Sequence, residues 1–363
     1  MTASRPTLVV EDDPFLRLVA VALDTNVDTE RVQAFTDFCA HDEPDFAGWL
    51  SRLRARVGKL HPAHVVLVSS AEAMQNALPA ADALIVESHE VDAATLNQAP
   101  HLKLVQKFGL LTRNIDQSAC TQRQIAVRTL RRRANMACAD FTMGLTVALA
   151  RKICELDGLM TPSRLYDAGF SPRHFDRRHT ANSNAARVSG IRAMSGVQMG
   201  IIGLGEIGRE TAQRAHAFGM RLAYTKRTPL SAELEAVFDA RYLPMHELLA
   251  SSDFIVLHLP VDDSTRGIIG AAQFAQMKPD AMLVNAARHE LVDRTALIAA
   301  LSGGSLGGYA GDMPYEDDGG SIEQLLAFRN VILTPNVGAA PRFNALDDIE
   351  EMLTGVALAL QLA

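Results

Sequence analysis

Short apolar runs alternate with stretches of helical spacing along nearly the whole chain. Thr7–Val10, His64–Ser69, Ala83–Val86, Leu102–Gln106 and Ala126–Thr129 read as strands, each brief, rich in apolar residues and bounded by polar or turn-forming ones. Between them, Ala71–Leu78 and Ala93–Gln98 read as helices, the second with Asp92 as its N-cap. A second series opens at Val197, with strands at Val197–Ile202, Arg221–Thr225, Phe254–His258, Met282–Asn285, Gly307–Gly311 and Val331–Leu333. Alternation of this kind predicts parallel sheets covered by helices. Between the two series, residues 137–155 read as a long, mostly apolar helix bridging two domains. At the end, Leu346, Ile349, Leu353, Val356 and Leu360 keep helical spacing, which predicts an amphipathic helix folding back on a domain.

Two segments are less regular. Residues 25–60 contain a helical stretch with Phe46, Trp49, Leu50, Leu53 and Val57 on one stripe, and a core-facing stripe is the simplest reading. Residues 160–195 are polar and rich in Arg and His. A solvated linker or dimer arm is favoured there over an anion site. Near the start, "LVVEDDPFLRLVAVAL" looks like a receiver domain in which Asp12 and Asp13 would hold Mg²⁺. That needs a phospho-acceptor aspartate after a later strand, but His64–Ser69 ends in Ser-Ser and Ala83–Val86 runs into Glu87. The receiver reading fails.

Composition narrows the class. At 363 residues two domains are expected, and an apolar fraction of 48% allows a large core. A net charge of −7 gives no electrostatic reason to expect nucleic acid or an anionic membrane as partner. Cys39, Cys120, Cys138 and Cys154 are scattered without metal-ligand spacing, so no metal site is expected and a reducing cytosol suits them. The opening "MTASRPTLVVEDDPF" holds no long apolar stretch, and no uninterrupted apolar run of about 18 residues occurs in the sequence. A soluble, cytoplasmic protein is expected.

The most specific chemistry lies in "GIIGLGEIGRE". Gly203, Gly205 and Gly208 form G-x-G-x-x-G between an apolar strand and an amphipathic helix. The first glycine permits a tight turn, the second lets the backbone approach a pyrophosphate, and the third allows close helix–strand packing. The helix N-terminus, with Glu206 and Ile207 in its first turn, offers N–H groups to phosphate. NAD sites usually place an acid about 20 residues on, to bind the ribose hydroxyls. Here Thr225 stands in that place, followed by Lys226 and Arg227. A hydroxyl and two cations suit a 2′-phosphate, so NADP(H) is favoured over NAD(H).

From about residue 80 onward the chain resembles, segment by segment and in order, the D-isomer-specific 2-hydroxyacid dehydrogenases. "LKLVQKFGLLTRNID" resembles the family's substrate loop, "SDFIVLHLPVDDSTRGIIG" its cofactor-covering strand and loop, and "MKPDAMLVNAARHELVD" the segment that delivers an arginine. "LGGYAGDMPYEDD" resembles the segment that delivers an acid, and "NVILTPNVGAA" the one that delivers the general acid/base. The resemblance implies an α/β fold of two doubly wound parallel-sheet domains with a cleft between them. A flavodoxin-like substrate domain would comprise residues 1–136 and 340–363, and a Rossmann dinucleotide-binding domain residues 137–339. It also implies a homodimer and a small carboxylate substrate. Arg288 matches the arginine that holds the substrate carboxylate and polarises the reacting carbonyl. Leu110 and Leu111 occupy the loop whose N–H groups bind carboxylate in relatives. Pro260, Thr265, Ala286, Arg288 and Asp312, with Glu206 and Ile207, match positions lining the dinucleotide. Cys138 falls where relatives place a small residue near the nicotinamide.

The chain departs from the family at its proton-exchanging unit. The expected histidine is Asn336, the expected glutamate falls on Asp317 with Glu316 adjacent, and His289 follows Arg288 in place of glycine. Asparagine cannot exchange a proton near neutral pH, though its amide can donate to a developing alkoxide. Losing general acid–base help typically costs about 10²–10⁴-fold in rate. Three accounts stay open: a working reductase in which His289, Tyr315, Glu316 or water supplies the proton, a dehydrogenase of a formate-like donor, and a dinucleotide-binding module with little turnover. The first is favoured.

Overall fold

All strands of the computed structural model, which describes residues 5–173, 176, 178–179, 186–312 and 321–363, pair in parallel, in two sheets. One compact unit runs to Asn135 and includes Ala339–Ala363, and the other is Met136–Gly338. Both are doubly wound α/β units.

In the first unit, β1 (Thr7–Glu11), β2 (His64–Val68), β3 (Ala83–Val86), β4 (Leu104–Lys107) and β5 (Ala126–Arg128) take the order β2-β1-β3-β4-β5. This is the flavodoxin-like order. The terminal helix Phe343–Ala359 lays Leu346, Ile349, Leu353 and Val356 into the core shared by β1, β3 and helix Phe46–Arg56. The Trp49 stripe lies in that core, and Trp49 stacks on Phe46 with ring centroids 5.5 Å apart. The acids after β1 are used locally. Glu11 accepts the N–H groups of Glu87, Ser88 and His89, Asp12 pairs with Arg17 at 2.6 Å, and Asp13 accepts from Phe15 and Leu16.

In the second unit, β6 (Gln198–Ile202), β7 (Arg221–Thr225), β8 (Ala240–Tyr242), β9 (Phe254–Leu257), β10 (Met282–Asn285), β11 (Gly308–Asp312) and β12 (Val331–Thr334) give the order β12-β11-β10-β9-β6-β7-β8. The order reverses between β6 and β9, which is the switch point of a Rossmann sheet.

Several boundaries differ from the sequence expectation. The bridging helix spans Arg133–Arg151, starting earlier than residue 137. Asp348, distant in sequence, caps it: both carboxylate oxygens accept the Arg133 N–H at 3.0 Å, and one accepts its guanidinium. The helix stops where Lys152 turns left-handed at φ 54°, and a separate turn, Ile153–Leu156, follows. Strand β4 runs on to Lys107, a buried lysine whose ammonium donates to the Glu87 carbonyl, a pairing that apolar periodicity cannot reveal. Strand β8 was too short and too polar to be expected.

Candidate active site

Most of the described candidate residues of the second unit stand at or just past carboxyl ends of its sheet strands, where ligands bind in open α/β sheets. Strand β6 leads into the glycine turn, β7 into Thr225–Arg227, β9 into His258–Thr265, β10 into Ala286–His289, and β12 into Asn336. Asp312 closes β11.

The turn is built by exclusion. Gly203 sits at φ 99°, a conformation that favours glycine, and a Cβ there would strike the His258 carbonyl. At Gly208 a Cβ would strike the Gly203 carbonyl. Gly205 is different: its φ is an ordinary −81° and a Cβ would face open space. That gap lies at the N-terminus of helix Glu206–Ala217, which no side chain caps. A cradle open at one glycine and uncapped amides fit a pyrophosphate. Gly205→Ala is therefore expected to unfold at the wild-type temperature while weakening dinucleotide binding about tenfold or more, as the added methyl fills only the cradle. Thermal melts and fluorescence titration check the two halves.

A half-buried histidine braces this turn. Thr211 donates its hydroxyl to Ile207 O at 3.0 Å, which leaves its oxygen to accept from His258 Nε2 at 2.9 Å. His258 keeps some accessible surface, yet its ring lies among protein atoms, and this desolvation pushes its pKa down to about 4. The folded pKa then lies below the unfolded value of about 6.5, so the unfolded chain takes the proton first as pH falls. Stability is lost from about pH 6.5 down to about pH 4. With allowance for partial exposure, unfolding free energies at pH 7 and pH 5 should differ by about 1 kcal/mol more in wild type than in His258→Gln.

At the β7 end, Thr225 is buried and its carbonyl accepts the Gly203 N–H at 3.0 Å, while Arg227 is exposed. Thr265 uses its hydroxyl within its own loop, donating to Pro260 O at 2.7 Å and accepting the Asp262 N–H at 2.8 Å.

Arg288 is exposed on a turn that Asn285 holds. The buried Asn285 amide donates to Arg288 O at 2.8 Å and accepts the Ala287 N–H at 3.1 Å. His289 Nδ1 lies 3.3 Å from Glu290 Oε2. Asn336 is exposed at φ 54°, its N–H donating to Thr334 O at 3.0 Å. Asp312, 3% exposed, clamps this second turn: its carboxylate accepts the Thr334 hydroxyl at 2.6 Å and the N–H groups of Val337 at 3.0 Å and Gly338 at 2.6 Å. Tyr315, Glu316 and Asp317 lie outside the described residues. Leu110, 45% exposed, and Leu111 belong to the first unit, on the loop after β4. Cys138 is half-buried on helix Arg133–Arg151.

Sequence reasoning missed Asn285, Thr211 and His258. An asparagine closing an apolar strand and a histidine beside Pro260 were the available signals, but their partners became visible only in the fold. Among the described residues no group of three or more His, Cys, Asp or Glu could hold a metal ion, and no helix is long and apolar enough to cross a membrane.

Residues 166–338 match the family model described as D-isomer specific 2-hydroxyacid dehydrogenase, NAD binding domain. A glyoxylate reductase of Thermococcus gammatolerans is 34% identical over 275 residues, 75% of this chain and 77% of the relative. A crystal structure of a Pyrococcus horikoshii protein aligns at 25% identity and a TM-score of 0.56, covering 97% of this chain and 91% of that one. The D-mandelate dehydrogenase of Rhodotorula graminis shares the fold at a TM-score of 0.53 and 22% identity, over 97% of this chain and 94% of that one.

Proposed function

The chain belongs to the D-isomer-specific 2-hydroxyacid dehydrogenase family, and from that membership we propose that it is an NADP(H)-dependent reductase of a small 2-oxo acid or close analogue. Its class is that of the NAD(P)-dependent oxidoreductases acting on CH–OH groups. The observation that carries the reading is the Gly203–Gly208 turn, whose one open glycine faces an uncapped helix N-terminus. Thr225, Lys226 and Arg227 at the end of β7 support the phosphorylated cofactor, since a carboxylate there would repel a 2′-phosphate. The glyoxylate named for the Thermococcus relative supports a short 2-oxo acid as the substrate class.

When bound, the nicotinamide supplies the hydride or takes it back. The chain's own residues bind and polarise. Arg288 offers a planar, permanently charged fork to the substrate carboxylate and carbonyl, and the family resemblance assigns carboxylate-binding N–H groups to Leu110 and Leu111. The Asn336 amide donates to the carbonyl oxygen as negative charge develops there. His289, beside Arg288 and 3.3 Å from a Glu290 oxygen, is the proton source this reading favours over water and over Tyr315, Glu316 or Asp317. Ala286, Pro260 and Thr265 line the cofactor, and Asp312 holds the Asn336 turn. A homodimer belongs to the reading on the family resemblance alone, and a cytoplasmic setting on the wide scatter of the four cysteines in sequence.

The test follows NADPH and NADH oxidation separately with a panel of 2-oxo acids. Turnover with NADPH on at least one acid is expected. Tight NADPH binding with no turnover on any acid, unrestored by Asn336→His, would sink the reductase and leave a dinucleotide-binding module.

A further inference from the structure

The cationic pair Lys226-Arg227 lies on a short span whose two ends are fixed, and one buried side chain fixes the far end. At the near end, the Thr225 carbonyl accepts the Gly203 N–H at 3.0 Å, which ties the span to the phosphate turn. At the far end, the Leu230 N–H donates to the hydroxyl oxygen of Tyr224 at 2.7 Å. That hydroxyl donates in turn to Glu235 Oε1 at 2.7 Å, on helix Ala232–Phe238, and the same oxygen accepts the Tyr242 N–H of β8 at 3.2 Å. Tyr224 is fully buried, and its ring meets that of Tyr242 edge-on at 5.7 Å.

We propose that Tyr224, oriented by Glu235, is a positioning residue that sets the choice between NADPH and NADH. This rests on the NADP(H) reading of Thr225-Lys226-Arg227. A carboxylate can only accept, so the phenolic hydroxyl donates its hydrogen bond to Glu235 and turns its oxygen lone pairs toward the Leu230 N–H. Burial, with the neighbouring carboxylate, pushes the phenol pKa up to about 12, so it stays a donor across the physiological range. Held at both ends, residues 226–229 present their cations with less conformational freedom left to lose on binding. NADH uses the same phosphate turn but brings no 2′-phosphate to this span. Loosening the span therefore weakens one cofactor and spares the other.

The experiment measures dissociation constants for NADPH and NADH by fluorescence titration on wild type, Tyr224→Phe, Glu235→Ala and Glu235→Gln, with thermal melts alongside. Tyr224→Phe and Glu235→Ala are expected to weaken NADPH about tenfold and to leave NADH within about twofold. Glu235→Gln keeps an acceptor oxygen and should restore the wild-type ratio. A parallel loss of both cofactors would mean that Tyr224 only supports the fold, which overturns the inference. So would a wild-type preference for NADPH that survives both Tyr224→Phe and Glu235→Ala. Equal affinities in wild type would instead overturn the NADP(H) reading, and the inference with it.

Discussion

Replacing Arg288 by glutamine is expected to lower kcat/KM for the 2-oxo acid about 10³-fold, because in the role proposed for it the variant loses a charged, two-pronged hydrogen-bond donor to both carboxylate and developing oxyanion. Lysine at this position should recover only part of it, because a single ammonium restores charge without the fork. Little stability should be lost. Arg288 is exposed, its Nη1 donates to its neighbour's carbonyl, Ala287 O, and the turn that carries it is held by Asn285 and not by its own side chain. Steady-state kinetics over a 2-oxo acid range, with thermal melts as the control, separates the two effects. A loss under about tenfold with an unchanged melt would remove Arg288 from the reacting centre.

The sequence told more about what each strand end carries than about what holds it there. Strands β3, β7 and β10 sit where their apolar runs placed them, because a buried parallel strand leaves a dense, short apolar signature. Local chemistry was legible too: Asp92 caps its helix through the Thr95 N–H, as its position suggested. What escaped was every feature made by two distant segments. Asp348 starts a helix that local pattern places later, Lys107 ends a strand by reaching a carbonyl on β3's exit, and Asp312 holds the turn of Asn336 from the neighbouring strand. In each case a buried polar group needs a partner that only the fold supplies. The glycine turn stands between these extremes. Its spacing is visible in one line of sequence, but that Gly205 alone opens onto free space requires the surrounding atoms.

The same distinction governs what Asn336→His should do. The position is left-handed at φ 54°, a conformation in which asparagine and histidine are both enriched among non-glycine residues, and it is exposed. Asp312 fixes the turn through the Thr334 hydroxyl and the Val337 and Gly338 N–H groups, none of which involves the Asn336 side chain. A histidine can therefore enter without rebuilding the backbone. If the amide stands where the reacting oxygen gains its proton, the imidazole adds general acid–base help, and kcat should rise about 10²-fold near neutral pH. The new group should also write its own titration into the rate. Reduction needs the imidazolium, so kcat for the 2-oxo acid falls as pH rises through about 6.5. Oxidation of the hydroxy acid needs the neutral ring, so its kcat rises over the same interval. Wild type should lack this limb. Rate–pH profiles from about pH 5.5 to 8.5 in both directions test the point, with NADPH affinity as the check on the fold. A variant that binds NADPH normally, turns over no faster and shows no new limb would place Asn336 away from the reacting oxygen, and the family's mechanism could not be mapped onto this turn.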